Sequence, residues 1–203
     1  MPRAFDERER ETIRRSLLDT AERLFGHYGL KKTTVEEITR EAGISKGAFY
    51  SFFASKELLF FEILERIQDG ERDTVRRTAT EGVGSPGEGL KKVLRHGLAM
   101  LERYPLLRVA LQPEEHRQLF SRLPEERLEA EFVDDQWLLG EIERRWAEEY
   151  RPAFSLELAT GLIRSVFFLA MHAEEIAPGQ SGKLLEALTD VVAAALFERR
   201  NTR

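Results

Sequence analysis

Lys46, Gly47, Ala48 and Tyr50 bring together, in one short stretch, side-chain types that suit contact with a nucleic-acid groove. A lysine ammonium can meet phosphate or base acceptors, and a tyrosine hydroxyl can donate to phosphate. Glycine and alanine are small enough for backbone and methyl groups to lie against base edges. Thr34 and Lys56 stand where two flanking helices should begin, and helix N-termini attract phosphate through unpaired amides and the helix dipole. Each has an ordinary reading as well: Lys46 and Lys56 fit solvated charges, and Tyr50 fits a partly buried aromatic.

Other chemistry has little to work with. There is no cysteine, which excludes thiol catalysis, thiolate metal sites and disulfides. A carboxylate-bridged di-iron bundle needs Glu-x-x-His pairs, but Leu24, Val93, Pro113 and Leu169 stand three residues before His27, His96, His116 and His172. His172 with Glu174 and Glu175 is an isolated cluster near an expected helix end. The expectation is therefore no enzyme, no cofactor and no metal.

The elements that must position these residues are all helical, because apolar residues recur at helical spacing and no alternating run marks a strand. A first helix over about 8–28 carries Ile13, Leu17, Ala21, Leu24, Phe25 and Tyr28 as one stripe, and Gly29 stops it. Thr34 caps a short second helix ending near Gly43, with Glu37 completing a capping box. Ser45 caps a third helix through about Phe52, and Ser55 caps a longer one to about Thr80. Val35, Ile38, Ala42, Ile44 and Phe49 make a small core that fits a helix-turn-helix. Beyond the loop at 81–89, helices are expected near 88–103, 105–111, 124–150, 155–177 and 181–200, broken by prolines.

The chain has 203 residues and a net charge of −5, which is unhelpful for binding phosphates. The distribution matters more. Residues 1–56 hold eleven Lys or Arg against nine Asp or Glu, a balance of +2, which leaves twenty against twenty-seven, or −7, for residues 57–203. The first ten residues, MPRAFDERER, are charged, and no run approaches the eighteen or so apolar residues of a membrane span. A cytoplasmic protein with no membrane partner is expected.

The stretch Thr33–Leu59 resembles the DNA-binding signature of the tetracycline-repressor (TetR) family. The matching residues are Thr34, Ile38, Ala42-Gly43-Ile44-Ser45, Gly47, Phe49-Tyr50, Phe53 and Lys56-Glu57-x-Leu59. The resemblance implies an all-α chain, with a DNA-binding domain at 1–56 and a helical ligand-binding and dimerisation domain at 57–203. It makes Ser45–Phe52 the recognition helix, gives base-edge contacts to Lys46, Gly47 and Ala48, and phosphate contacts to Thr34, Tyr50 and Lys56. Two positions depart from the family pattern. Phe52 stands where Tyr or His often bonds a phosphate, and Thr39 replaces a usual Ala.

Leu98, Leu101, Tyr104, Leu107, Phe120, Phe132, Trp137, Trp146, Phe167, Phe168 and Met171 can build a second core. The resemblance implies a small-molecule effector in this region, expected between helices carrying Leu101, Tyr104, Trp137, Phe168 and His172. Leu158, Leu162 and Val166, with Leu184, Leu188, Val191 and Ala195 on the last helix, form two neighbouring apolar stripes suited to a homodimer. Two half-sites also read more bases than one short helix, so a palindromic double-stranded operator is expected. An alternative keeps the DNA-binding domain and makes the remainder a protein-interaction module without a ligand.

Overall fold

A computed structural model describes residues 6–200, without the side chains of residues 125, 126 and 128–135. The order is α1 (Glu7–Tyr28), α2 (Val35–Ala42), α3 (Lys46–Phe49), α4 (Lys56–Thr80), α5 (Pro86–Arg103), α6 (Pro105–Leu111), α7 (Pro113–Phe120), α8 (Glu125–Trp146), β1 (Tyr150–Pro152), α9 (Leu156–Ala170), α10 (Ala173–Ile176), α11 (Ser181–Ala195) and β2 (Phe197–Arg199). The fold is all-α with one small ribbon. No helix among the described residues is long and apolar enough to cross a membrane.

The chain forms two compact units, one running to Gln68 and taking in Tyr104–Pro124, the other comprising Asp69–Arg103 and the chain from Glu125 onward. In the first unit α1 packs on α2 and α6. Leu17, Leu24, Phe25, Leu30, Ile38, Phe49, Leu59, Phe60 and Ile63 are fully or almost fully buried there, and the Phe25 and Phe60 rings meet at 5.1 Å. Burying one such side chain stabilises by about 1.5–3 kcal/mol. The stripe on α1 includes Leu18, whereas Tyr28 is 55% exposed and meets the His27 ring edge-on. The expected boundary at 56–57 falls inside this unit, because the first half of α4 supplies Leu59, Phe60 and Ile63 to its core.

The second unit is built on α5, which packs against α8, α9 and α11. Leu90, Val93, Leu94, Leu139, Ile142, Trp146, Val166, Val192 and Leu196 make its core, with Leu98, Leu162, Phe167 and Leu188 packed against it. Helix α5 crosses the end of α4 so closely that a Cβ on Gly89 would stand 2.1 Å from the Ala79 carbonyl oxygen. Only glycine fits there. Phe132 lies outside the described side chains.

Several elements differ from the sequence-based expectation. Tyr150–Pro152 pairs antiparallel with Phe197–Arg199, where no strand was expected. These segments are too short for alternation to register, and Pro152 ends the first. Helix α11 stops at Ala195 accordingly, and the helix expected over 155–177 breaks at Met171–His172 into α9 and α10. Helix α7, begun by Pro113 at a position that needs no amide hydrogen, was not expected.

Candidate nucleic-acid interface

The second and third helices are set by three local devices. Thr34 Oγ1 accepts from the Glu37 amide at 3.2 Å, and the Glu37 carboxylate accepts in turn from the Thr34 amide at 2.8 Å, closing the capping box. Gly43 ends α2 in the left-handed conformation, φ 72° and ψ 28°, which a residue with a Cβ adopts only with strain. Ser45 Oγ accepts from the Ala48 amide at 3.1 Å and starts α3. Ile38 and Phe49 are wholly buried between the helices, and Val35, Ala42 and Ile44 are half-buried. The expected small core forms.

The third helix is shorter than expected. Regular α-helix covers Lys46–Phe49, and residues 50–52 continue as turns, with the Ser51 and Phe52 amides bonding the Ala48 and Phe49 carbonyls at 3.0 and 2.9 Å. Phe53 turns inward, 5% exposed, and its ring lies 6.0 Å from that of Phe49. The chain must turn there to deliver Phe53 to the core, which limits the helix.

Ser45, Lys46, Gly47 and Tyr50 are exposed, and Ala48 is half-buried. Tyr50, 51% exposed, is held edge-on against the Phe49 ring at 5.3 Å, which fixes the direction of its hydroxyl. Gly47 lies inside α3 with an ordinary backbone, and a Cβ built there would meet only Ser45 Oγ at 3.9 Å. Nothing among the described residues requires a glycine at this position, although glycine in a helix costs about 0.5–1 kcal/mol relative to alanine.

Lys46 pairs with Glu36 of α2 across the turn. The hydrogen bond from Lys46 holds the Glu36 carboxyl below its usual range, and the same bond raises the lysine. Lys56 is placed differently from the expectation. Its ammonium donates to the carbonyl oxygens of Leu30 at 2.6 Å, Thr33 at 2.7 Å and Lys31 at 3.4 Å, and burial lowers its pKa. With its donors engaged in this way it ties down the α1–α2 connection that presents Thr34. The same connection is held by Glu115 of α7, which accepts from the Lys31 amide at 2.9 Å. Sequence reasoning missed both Glu115 and Glu36. The first lies too far along the chain to signal itself, but the second could have been found from the geometry of two helices joined by one tight turn.

An effector site was expected at Leu101, Tyr104, Trp137, Phe168 and His172. Leu101 is buried and Trp137 half-buried in the second unit, the latter beneath the Arg72 guanidinium at 4.8 Å, while Tyr104 belongs to the first unit. Phe168 is 40% exposed and His172 is also exposed. His172 Nδ1 lies 3.4 Å from Glu175, whereas Glu174 accepts from the Gly179 amide. Among the described residues no three His, Asp or Glu side chains are grouped to hold a metal ion.

Of the residues expected at a dimer contact, Leu158 and Val191 are 51% and 65% exposed, Ala195 is exposed, and Leu162, Leu184 and Leu188 are half-buried. Val166 is wholly buried in the core of its own unit, so it cannot face a partner. It lies on a different side of α9 from exposed Gly161 and Ser165.

Residues 17–63 match the family described as bacterial regulatory proteins, tetR family. The HTH-type transcriptional repressor Rv1474c of Mycobacterium tuberculosis is 34% identical over 99 residues, covering 49% of this chain and 48% of the relative. The chain thus spans about half the length of that relative. A TetR family transcription regulator from Marinobacter aquaeolei is similar in structure, with a TM-score of 0.66 at 16% identity over 95% of this chain and 99% of the other. SmeT, the repressor of the Stenotrophomonas maltophilia multidrug efflux pump SmeDEF, has a TM-score of 0.58 in its triclosan complex, at 24% identity over 91% of each chain. With the signature residues folded as a helix-turn-helix inside the matched segment, residues 17–63 form a DNA-binding domain of the tetR family of bacterial regulatory proteins.

Proposed function

We propose that the protein is a homodimeric repressor that binds a palindromic operator through α3 and is released by a small apolar effector. The observation that carries this reading is the face of exposed Lys46, Gly47 and Tyr50 with half-buried Ala48, and a glycine that the fold does not require. Lys46, Gly47 and Ala48 meet base edges, and Thr34 and Tyr50 meet phosphates on either side. Ser45 fixes the start of the helix that carries them.

Dimerisation rests on the exposed stripe of Leu158, Gly161 and Ser165 on α9 with Val191 and Ala195 on α11, flanked by half-buried Leu184. Small residues allow close helix contact, and a two-fold pairing places two recognition helices roughly 34–36 Å apart, in successive major grooves. The effector reading is supported by the triclosan complex of SmeT. An effector acts here only through different affinities for the free and DNA-bound states. Helix α4, continuous from Lys56 to Thr80, is the segment through which occupancy alters the presentation of α3.

Selection of a randomised duplex pool by the purified protein tests the reading, with Lys46→Ala and Tyr50→Ala as controls. A near-palindrome enriched by the wild type and weakened in both variants is the expected result. No enrichment at any salt concentration would remove the reading.

A further inference from the structure

Among the proposed backbone contacts Phe52 supplies none, because its ring can neither donate to nor neutralise a phosphate. The structure sets a cation against that same ring. The Arg10 guanidinium, from the first turns of α1, lies 4.8 Å from the centre of the Phe52 ring and donates to the Ser51 carbonyl oxygen at 3.4 Å. Ser51 adjoins Tyr50, so this cation stands beside the exposed end of α3. Arginine stacked on an aromatic face is held in plane with its remaining donors directed outward, and a bond as long as 3.4 Å is readily exchanged for a better acceptor.

Four other cations of this unit are already engaged. Lys46 pairs with Glu36, Arg14 with Glu62 and Arg23 with Glu41, and Lys56 is held by main-chain carbonyls. Arg10 is exposed, and among the described residues no carboxylate pairs with it. The nearby acids Asp6 and Glu9 are turned onto each other's amides by the capping box of α1. We propose that Arg10, stacked on Phe52, is a phosphate-contacting residue of the DNA interface and takes the place of the polar side chain that Phe52 lacks. This inference rests on the DNA-binding reading above. It assigns Arg10 to positioning and affinity, with no part in base selection.

The test is affinity for the duplex selected by the wild type, followed from 50 to 200 mM KCl for wild type, Arg10→Gln and Arg10→Lys, with thermal melting to check folding. Each lost phosphate contact should make the plot of log affinity against log salt shallower by about 0.9 per bound protomer, or about 3-fold less loss across this range. Arg10→Gln is expected to show that change and to reselect the same sequence, and Arg10→Lys to keep the wild-type slope. Adding Phe52→Tyr to Arg10→Gln should recover part of the affinity without restoring the slope. A wild-type slope in folded Arg10→Gln overturns the inference while leaving operator binding intact. Should Arg10→Gln melt early, Phe52→Leu removes the platform and keeps the charge; weaker binding at an unchanged slope supports the inference, and unchanged affinity overturns it. If the wild type binds no duplex at all, the DNA-binding reading fails and the inference falls with it.

Discussion

Gly47 and Gly89 are both glycines inside helices, and the structure treats them in opposite ways. Gly89 is demanded by its surroundings, since the Ala79 carbonyl occupies the space of any Cβ. Gly47 has open space and ordinary backbone, so the fold alone would do better with alanine. The contrast extends to the two regions around them. In the second unit, residues that invited a functional reading from sequence are partly absorbed by packing, as Val166 is. In the helix-turn-helix, residues remain that packing does not explain.

The largest effect expected from that contrast concerns the exposed side of α9 and α11. Leu158→Glu with Val191→Glu should leave a folded monomer whose operator affinity has fallen by about two orders of magnitude, since the second half-site no longer binds as a linked event. Sedimentation and operator titration read the two consequences. A variant that stays dimeric would place the contact elsewhere.

Gly89→Ala comes next. It should destabilise the protein by about 1–3 kcal/mol through overpacking, seen as a lower urea midpoint. Unchanged stability would mean that α4 and α5 separate without cost. A smaller effect is expected from Glu36→Gln, which releases Lys46 and should tighten binding to all duplexes by a few-fold, because one anion leaves the interface. Equal affinity would show that the pair opens freely.

The smallest effect is in pH. The Glu37 carboxyl is held below its usual range, chiefly by the Thr34 amide. A depressed folded-state pKa means that its contribution is present above the unfolded value and lost as pH falls through the folded one. Glu37→Gln should therefore flatten the acid limb of the stability curve slightly, by lowering stability a little at neutral pH while matching the wild type in acid. A limb of wild-type steepness would assign that acid sensitivity to other carboxylates.

The sequence made the caps at Thr34, Ser45 and Ser55 legible because each uses a short side chain bonded three residues on, which is local information. The turn at Gly43 was legible for the same reason. What escaped depends on distant partners. Glu115 holds the α1–α2 connection from α7, and Arg10 reaches the end of α3 from α1, and neither spacing carries a signal. Tyr28 matched the stripe on α1 in period, yet it lies at the helix end, beyond the side covered by neighbours. Lys56 illustrates another limit: a lysine at a helix start reads as a phosphate ligand until the carbonyls that surround it are seen.

The most direct measurement is Gly47→Ala, compared with wild type for both urea stability and affinity for the selected operator. The account predicts a protein more stable by about 0.5–1 kcal/mol, or at least no less stable, that binds its operator about tenfold more weakly, a loss of about 1.4 kcal/mol. The same gain in stability with undiminished operator affinity would contradict it, because the bare backbone at Gly47 would then serve no contact with DNA.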